Sequence, residues 1–313
     1  MDISFVIPCY GSEHTIELVV NELRETMTQR PEYSYEIVLV NDNSPDQVWN
    51  VIQRLVRKYH NMKGISLARN FGQHAALMAG YRSCEGEIVV SLDDDGQTPA
   101  DETFLLIDKI NEGYDVVYGC YPEIKQSHFR IFGSWVNEKM VEILLNKPKE
   151  LKCTSYYAAK RFIIEEMLRY KNSYPYVGGL VLRSTKNIAN VPVHHRARLE
   201  GKSGYSLGKL LALWFNGFTA FSVKPLRLAT VVGFVCALAG FVYGVIMVLR
   251  KLLGYTTVLG YSSLITVILF IGGIIMVLLG IIGEYIGRIY ISLNNAPQYV
   301  IRETIGGSDE KTE

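Results

Sequence analysis

Two stretches of the chain carry no charge at all, Leu228 to Leu249 and Ser262 to Gly283. At about 1.5 Å per residue, each makes a helix of about 33 Å, against a hydrocarbon core of about 30 Å. One buried helix of a soluble protein can be this apolar. Two in succession near one end of a chain point instead to a transmembrane hairpin. Lys209, Lys224 and Arg227 precede the first stretch, Arg288 and Arg302 follow the second, and only Arg250 and Lys251 lie between. That bias places both ends of the hairpin on the cytoplasmic side. The opening residues, "MDISFVIPCY", have neither the basic start nor the long apolar core of a signal peptide and begin directly with a strand.

A hairpin of this kind leaves a large remainder to fold in water, and that remainder alternates strand and helix patterns. Apolar runs at Ile3–Pro8, Tyr35–Asp42, Lys63–Ala68, Gly86–Asp93 and Tyr114–Gly119 are separated by helical periodicity at Glu13–Gln29, Val48–Tyr59, Gln73–Ser83 and Pro99–Asn111. Near-continuous apolar strands joined by helices predict a parallel sheet covered on both faces. Beyond residue 120 the pattern loosens. Phe129–Leu145 and Arg161–Arg169 read as helices and Asn187–His195 as an edge strand. From Tyr205 to Ser222, Leu207, Leu210, Leu211, Trp214, Phe218 and Phe221 recur at helical spacing, which predicts an amphipathic helix in the membrane interface, with a core helix of the soluble domain as the alternative. The net charge of +1 gives no reason to expect nucleic acid, and the five cysteines show neither paired nor metal-like spacing.

In open parallel sheets, ligands bind beyond the carboxyl ends of the strands. Every unusual polar cluster in the first half falls there. The sharpest is "SLDDDGQTP", Ser91 to Pro99. Two carboxylates about 4 Å apart repel by roughly 1 kcal/mol in water and about 4 kcal/mol near a protein surface, so three together need a partner. Side chains alternate along a strand, so Asp93 and Asp95 can share a face with Asp94 directed elsewhere. With the amide oxygen of Gln97 they form a hard, oxygen-only donor set suited to Mg²⁺ or Mn²⁺, a metal that characteristically also takes substrate phosphates. A solvated acidic turn capping the next helix explains the same triplet. At the other strand ends, Pro8 and Tyr10 are placed to pack on a base, and Asp42 to accept hydrogen bonds from a base or ribose, although a turn capped by Asn43 and Ser44 accounts for it equally. Arg69 and Asn70, in "LARNFG", face the same crevice.

The ordered set of Pro-x-Tyr, Asn-Asp-x-Ser, "LARNFGQHAALMAG", Asp-x-Asp-x-Gln-x-Pro and "FSVKPLRLA" before the first apolar stretch resembles the family 2 glycosyltransferases acting on polyprenyl phosphates. Dolichol-phosphate mannose synthase and the bactoprenol glucosyltransferases are examples. The resemblance runs from Ile3 to about Arg302. It implies a Rossmann-like GT-A α/β domain, a divalent metal, and inversion at the anomeric carbon during transfer of one sugar from a nucleotide-diphosphate donor. Matched position by position, it implies that Pro8, Tyr10, Asp42, Asp94 and Arg69 bind the nucleotide and that Asp93, Asp95 and Gln97 hold metal and diphosphate. Arg130 and Arg198 join Asp93 and Asp95 as catalytic residues, with Ser203 toward the acceptor phosphate and Lys125 and Lys202 near enough to stand in for family cations that this chain lacks. Ser155 and Tyr156 fall in the sugar pocket. The chain departs from the pattern in "GCY", Gly119 to Tyr121, where many members have Gly-x-Arg. It departs again at Gly204, where a lysine often follows the serine, and in "CTSYYAAKR", Cys153 to Arg161.

A lipid phosphate monoester, with a second pKa near about 6, is already a dianion at neutral pH, so no dedicated general base is needed. His74, His194 and His195 accordingly read as packing or hydrogen-bonding residues. The resulting organisation is a cytosolic GT-A domain at 1–204, an interfacial helix at 205–224, spans at 225–249 and 262–287 around an external loop at 250–261, and a cytosolic tail at 288–313. The expected donor is UDP-glucose or a related UDP-sugar and the acceptor undecaprenyl or another polyprenyl phosphate, at the inner face of the cell membrane. The resemblance further implies a homo-oligomer, a tetramer in the family. A processive polysaccharide synthase is the alternative enzyme, but Trp49, Trp135 and Trp214 lack the Gln-x-x-Arg-Trp context it requires. A non-catalytic nucleotide-sugar-binding scaffold is the alternative outside catalysis.

Overall fold

The computed structural model describes residues 1–121, 142, 147–194, 196, 260–293 and 297–307, with scattered positions between 231 and 253. The chain divides into two compact units, Met1–Ser206 together with Asn295–Glu313, and Leu207–Asn294.

The first unit is built on an eight-stranded sheet of order β7-β5-β6-β4-β1-β2-β3-β8. Its strands are β1 (Ile3–Cys9), β2 (Tyr35–Asn41), β3 (Met62–Leu67), β4 (Ile88–Ser91), β5 (Val116–Cys120), β6 (Tyr157–Lys160), β7 (Ile188–Pro192) and β8 (Ile301–Ile305). β1 runs parallel between β2 and β4, β3 extends the parallel set, and β7 lies parallel to β5 at one edge. Among the described residues the helices of this unit are α1 (Ile16–Met27), α2 (Val48–Lys58), α3 (Gln73–Ser83), α4 (Thr103–Asn111), α5 (Arg161–Leu168) and α6 (Val177–Ser184), with a 3₁₀ turn at Ala100–Glu102 before α4.

β1 is buried along its whole length, which is why its sequence does not alternate. Ile3, Phe5 and Ile7 join a core with Val20 and Leu23 of α1, Ile52 and Leu55 of α2 and Ile107 of α4. Val6 meets α3 instead. A Cβ at Gly80 would lie 2.3 Å from Val6 Cγ1, so the missing side chain lets α3 sit down on the sheet. Pairing of β1 with β4 stops at Val6, two residues before Pro8, which has no N–H to give.

The sheet is mixed where the sequence predicted a parallel one. β6 is antiparallel to both β4 and β5, and β8 is antiparallel to β3. Neither strand was foreseen. β6 falls within "CTSYYAAKR", and β8 within the stretch assigned only as a tail. Ala68 donates its N–H to Val300, and Arg302 returns a bond to the Ala68 carbonyl at 2.8 Å, so β8 is fixed at the active end of β3.

In the second unit, α7 (Tyr261–Leu293) runs for 33 residues, past the predicted end of the span at 287. Its window Phe270–Gly287 has a mean hydropathy of 2.0 with none of its residues buried. Gly233–Tyr243 forms a shorter apolar helix. The predicted helices at 129–145 and 205–222 lie outside the described residues, apart from Glu142.

Candidate functional site

The carboxyl ends of β1, β2, β3 and β4 converge through hydrogen bonds between their loops. The Tyr10 N–H donates to Asp94 Oδ2 at 2.8 Å, and the Thr15 hydroxyl donates to the Asp94 carbonyl at 2.7 Å, joining β1 to the acidic loop. Gly11 donates to Ser44 Oγ at 2.8 Å, and Glu13 donates to Asp46 at 2.9 Å, joining β1 to the loop after β2. Tight turning at Gly11, Gly72 and Gly96 uses positive φ at each.

Asp93, Asp94 and Asp95 lie just beyond β4 and bond to different partners. Asp93 accepts from the Gln73 amide at 2.9 Å and from the Ser155 hydroxyl. Asp95 accepts from the Gln97 N–H at 3.0 Å. Asp94 turns inward onto Tyr10, and although the residue keeps some accessible surface, enclosure of its carboxyl pushes its pKa up to about 6. Asp93 and Asp95 are therefore held by other partners than Asp94. Both offer carboxylate oxygens, the hard donor type that a divalent cation takes. Among the described residues no three His, Cys, Asp or Glu side chains gather as a metal cage. Two carboxylates completed by substrate phosphates is the arrangement Mg²⁺ favours, and these residues fit that group.

Three positions differ in detail from the sequence reading. Both oxygens of Asp42 accept backbone N–H groups, from Phe71 and Gly72 at 2.8 Å each, so this side chain orders the turn that starts α3. Burial raises its pKa while those two bonds lower it. Tyr156 corrects the predicted sugar pocket. It is fully buried, its hydroxyl meets Thr103 and the Pro99 carbonyl, and its ring lies where a Cβ on Gly119 would come within 2.7 Å. Packing against α4 takes that ring into the core and leaves Ser155 as the member of the pair that reaches a carboxylate. Tyr121 was noted only as a missing arginine, yet burial pushes its phenol up to about 12, with Asp93 and Asp95 adding to the shift. Only the departure from Gly-x-Arg at that position marked it in the sequence.

Tyr10 is exposed, Pro8 is buried within β1, and Arg69 is exposed with its guanidinium 4.6 Å from the Phe71 ring centroid. Lys125, Arg130, Arg198, Lys202, Ser203 and His195 lie outside the described residues. His194 is exposed and paired with Glu102, as a hydrogen-bonding role requires.

His74 is held differently. Its Nδ1 is buried with no hydrogen-bond partner among the described residues, and its ring stands edge-on to Tyr176 at 5.3 Å. Burial pushes its pKa down to about 4. An unfolded histidine titrates near about 6.5, so between those values the unfolded chain binds a proton that the folded chain refuses. Stability contributed by neutral His74 is complete above the unfolded value and falls as pH drops toward the folded one, by at most about 3 kcal/mol. Denaturant midpoints of the purified protein at pH 7 and pH 5 will show the drop, and His74→Phe will reduce it. An equal drop in both proteins would assign the acid sensitivity elsewhere.

Comparison with known proteins matches residues 4–171 to Glycosyl transferase family 2 and residues 224–289 to the GtrB C-terminal hairpin. The chain is 33% identical over 304 residues to the uncharacterized glycosyltransferase YkcC of Bacillus subtilis (strain 168), covering 97% of this chain and 94% of that one. It is 32% identical over 311 residues to the undecaprenyl-phosphate 4-deoxy-4-formamido-L-arabinose transferase of Proteus mirabilis (strain HI4320), with the same coverage, 97% and 94%. Glucosyl-3-phosphoglycerate synthase from Mycobacterium tuberculosis, solved with Mn²⁺, UDP and phosphoglyceric acid, shares the fold. The TM-score is 0.52 at 19% identity, over 70% of this chain and 76% of that one.

Proposed function

The chain belongs to glycosyl transferase family 2, and from that premise we propose that it moves one sugar from a UDP-sugar to undecaprenyl or another polyprenyl phosphate. One observation carries the reading: a sheet of the glycosyl transferase family 2, with a carboxylate pair after β4, shares its chain with a hairpin of the GtrB type. The Proteus relative, similar along nearly the whole chain, is named for transfer to undecaprenyl phosphate, which supports the acceptor. The UDP bound by the synthase of the same fold supports the donor. The sugar is proposed as glucose or a close relative.

The acceptor phosphate attacks the anomeric carbon from the side opposite the leaving diphosphate, which inverts that centre. As a dianion it needs no base, so the protein's work is to bring two anionic groups together. Asp93 and Asp95, with Gln97, would hold Mg²⁺ or Mn²⁺, which supplies neutralisation of the departing diphosphate. Gln73 and Ser155 orient Asp93, and Asp94 fixes the loop to β1. Tyr10 offers its exposed ring to the base. Arg130, Arg198 and Lys202 are proposed to screen the acceptor phosphate, assisted by Lys125 and Ser203.

Both ends of the Leu207–Asn294 unit connect to the unit that carries the sheet, because β8 returns to pair with β3. A chain that starts and finishes on one side crosses a membrane an even number of times. This supports a two-span anchor with the catalytic unit and the tail on one face, which the flanking Lys and Arg residues assign to the cytoplasm.

The test is transfer of radiolabel from a panel of UDP- and GDP-sugars into lipid, using membranes that contain the protein and added undecaprenyl phosphate. Label on an acid-labile lipid phosphate, from a UDP-sugar and only with divalent metal, is the expected result. Nucleotide binding without label from any donor would favour the scaffold reading.

A further inference from the structure

The acidic loop is tied at its near end by Asp94 on Tyr10 and Thr15, and its far end runs from Gln97 through Pro99 into the 3₁₀ turn at Ala100–Glu102. One side chain closes on that far end from a distant part of the sequence. Arg196, four residues beyond β7, places Nη1 2.6 Å from Glu22 Oε1 of α1 and Nη2 2.6 Å from Asp101 Oδ1 of the 3₁₀ turn. Its backbone N–H points to the Gln97 carbonyl at a long 3.5 Å. Glu22 Oε1 also accepts the Asp101 N–H at 3.3 Å, so the carboxylate and guanidinium grip the same turn together. Next to it, His194 donates its N–H to Glu102 at 2.9 Å.

We infer that Arg196 is a positioning residue for the carboxylate pair: by bridging α1 and the 3₁₀ turn, it fixes the far end of the loop that carries Asp93 and Asp95. The geometry requires an arginine. A planar fork can hold two carboxylates at once, whereas an ammonium is a single point of charge. Each pair is partly exposed, so little global stability rests on it. What the bridge sets is the placement of the loop's far end against α1, and with it the path of the loop that carries both carboxylates. The inference rests on the proposed metal role of Asp93 and Asp95.

The experiment measures UDP affinity by calorimetry, with saturating Mn²⁺ and without divalent ion, for full-length wild type, Arg196→Gln and Arg196→Lys. Wild type is expected to bind UDP more tightly with Mn²⁺. In Arg196→Gln that enhancement should shrink about fivefold, the scale of an exposed ion pair, while metal-free affinity and thermal midpoint hold. Arg196→Lys should recover little of it. Loss of affinity in both conditions alike would reduce Arg196 to general support of the fold and overturn the inference. An enhancement equal to wild type in Arg196→Gln overturns it too. No enhancement in wild type itself would instead overturn the metal reading, and the inference with it.

Discussion

Asp95→Asn and Asp93→Asn will each lower the rate of sugar transfer by at least about a hundredfold, the scale of losing a preorganised electrostatic stabiliser. Asparagine preserves size, and its oxygen can still take the Gln97 N–H that Asp95 accepts at 3.0 Å. What goes is charge. Asp94→Asn is the internal control. Its carboxyl is turned onto the Tyr10 N–H and already disfavours ionisation through burial, so neutralising it should cost less than tenfold. Transfer of label by purified protein at matched metal concentration, with thermal midpoints recorded alongside, separates these outcomes. Equal losses at all three positions would mean that the triplet acts as an undivided acidic patch.

Glu36→Ala will destabilise the sheet-bearing unit by about 3–5 kcal/mol, the range for breaking a buried ion pair from one side. Glu36 lies in β2 with its side chain 3% exposed, and Lys63 of β3, 17% exposed, stands 3.0 Å away. The same carboxylate accepts from the Ser4 hydroxyl of β1 and the Glu85 N–H, each at 2.6 Å, while Gly86 donates to Ser4 at 2.7 Å. One residue therefore ties three neighbouring strands to the turn that leads from α3 into β4. Glu36→Gln should cost less, since its oxygen still accepts from Ser4 and the Glu85 N–H, although its amide nitrogen then turns a donor toward Lys63, which retains Glu85. Denaturant unfolding in detergent reads both variants. A loss below about 1 kcal/mol for the alanine variant would show that Lys63 and the turn re-solvate freely on removal of their partner.

What could be read ahead of the structure followed from burial. β1 to β5 appeared at nearly their observed bounds because strands covered on both faces are apolar throughout, and that pattern is local. The polar clusters after β1, β2, β3 and β4 were legible as one site because a parallel sheet sends its strand ends to the same side. β6 was hidden by length and composition, since "YAAK" has no run of branched residues to announce a strand. β8 was hidden by exposure: "IRETI" is almost wholly exposed and carries charge in mid-strand, as edge strands do. Asp42 was legible as a strand-end acid, but the two N–H groups that occupy it come from the loop before α3. Arg196 and Tyr121 act across elements far apart in sequence, and no spacing rule connects them to Asp93.

The pairing of β8 with β3 also governs how the protein is made. Arg302 bonds to Ala68 across 234 residues of sequence, and the intervening chain includes the whole hairpin. At about 5–20 residues per second, a ribosome needs ~10–50 s between producing β3 and producing the strand that covers it. During that interval β3 is a bare sheet edge, the kind of surface that recruits other chains. Completion of the sheet-bearing unit thus waits until the whole segment between β3 and β8 has been made, and a chain stalled before β8 is held with that edge open.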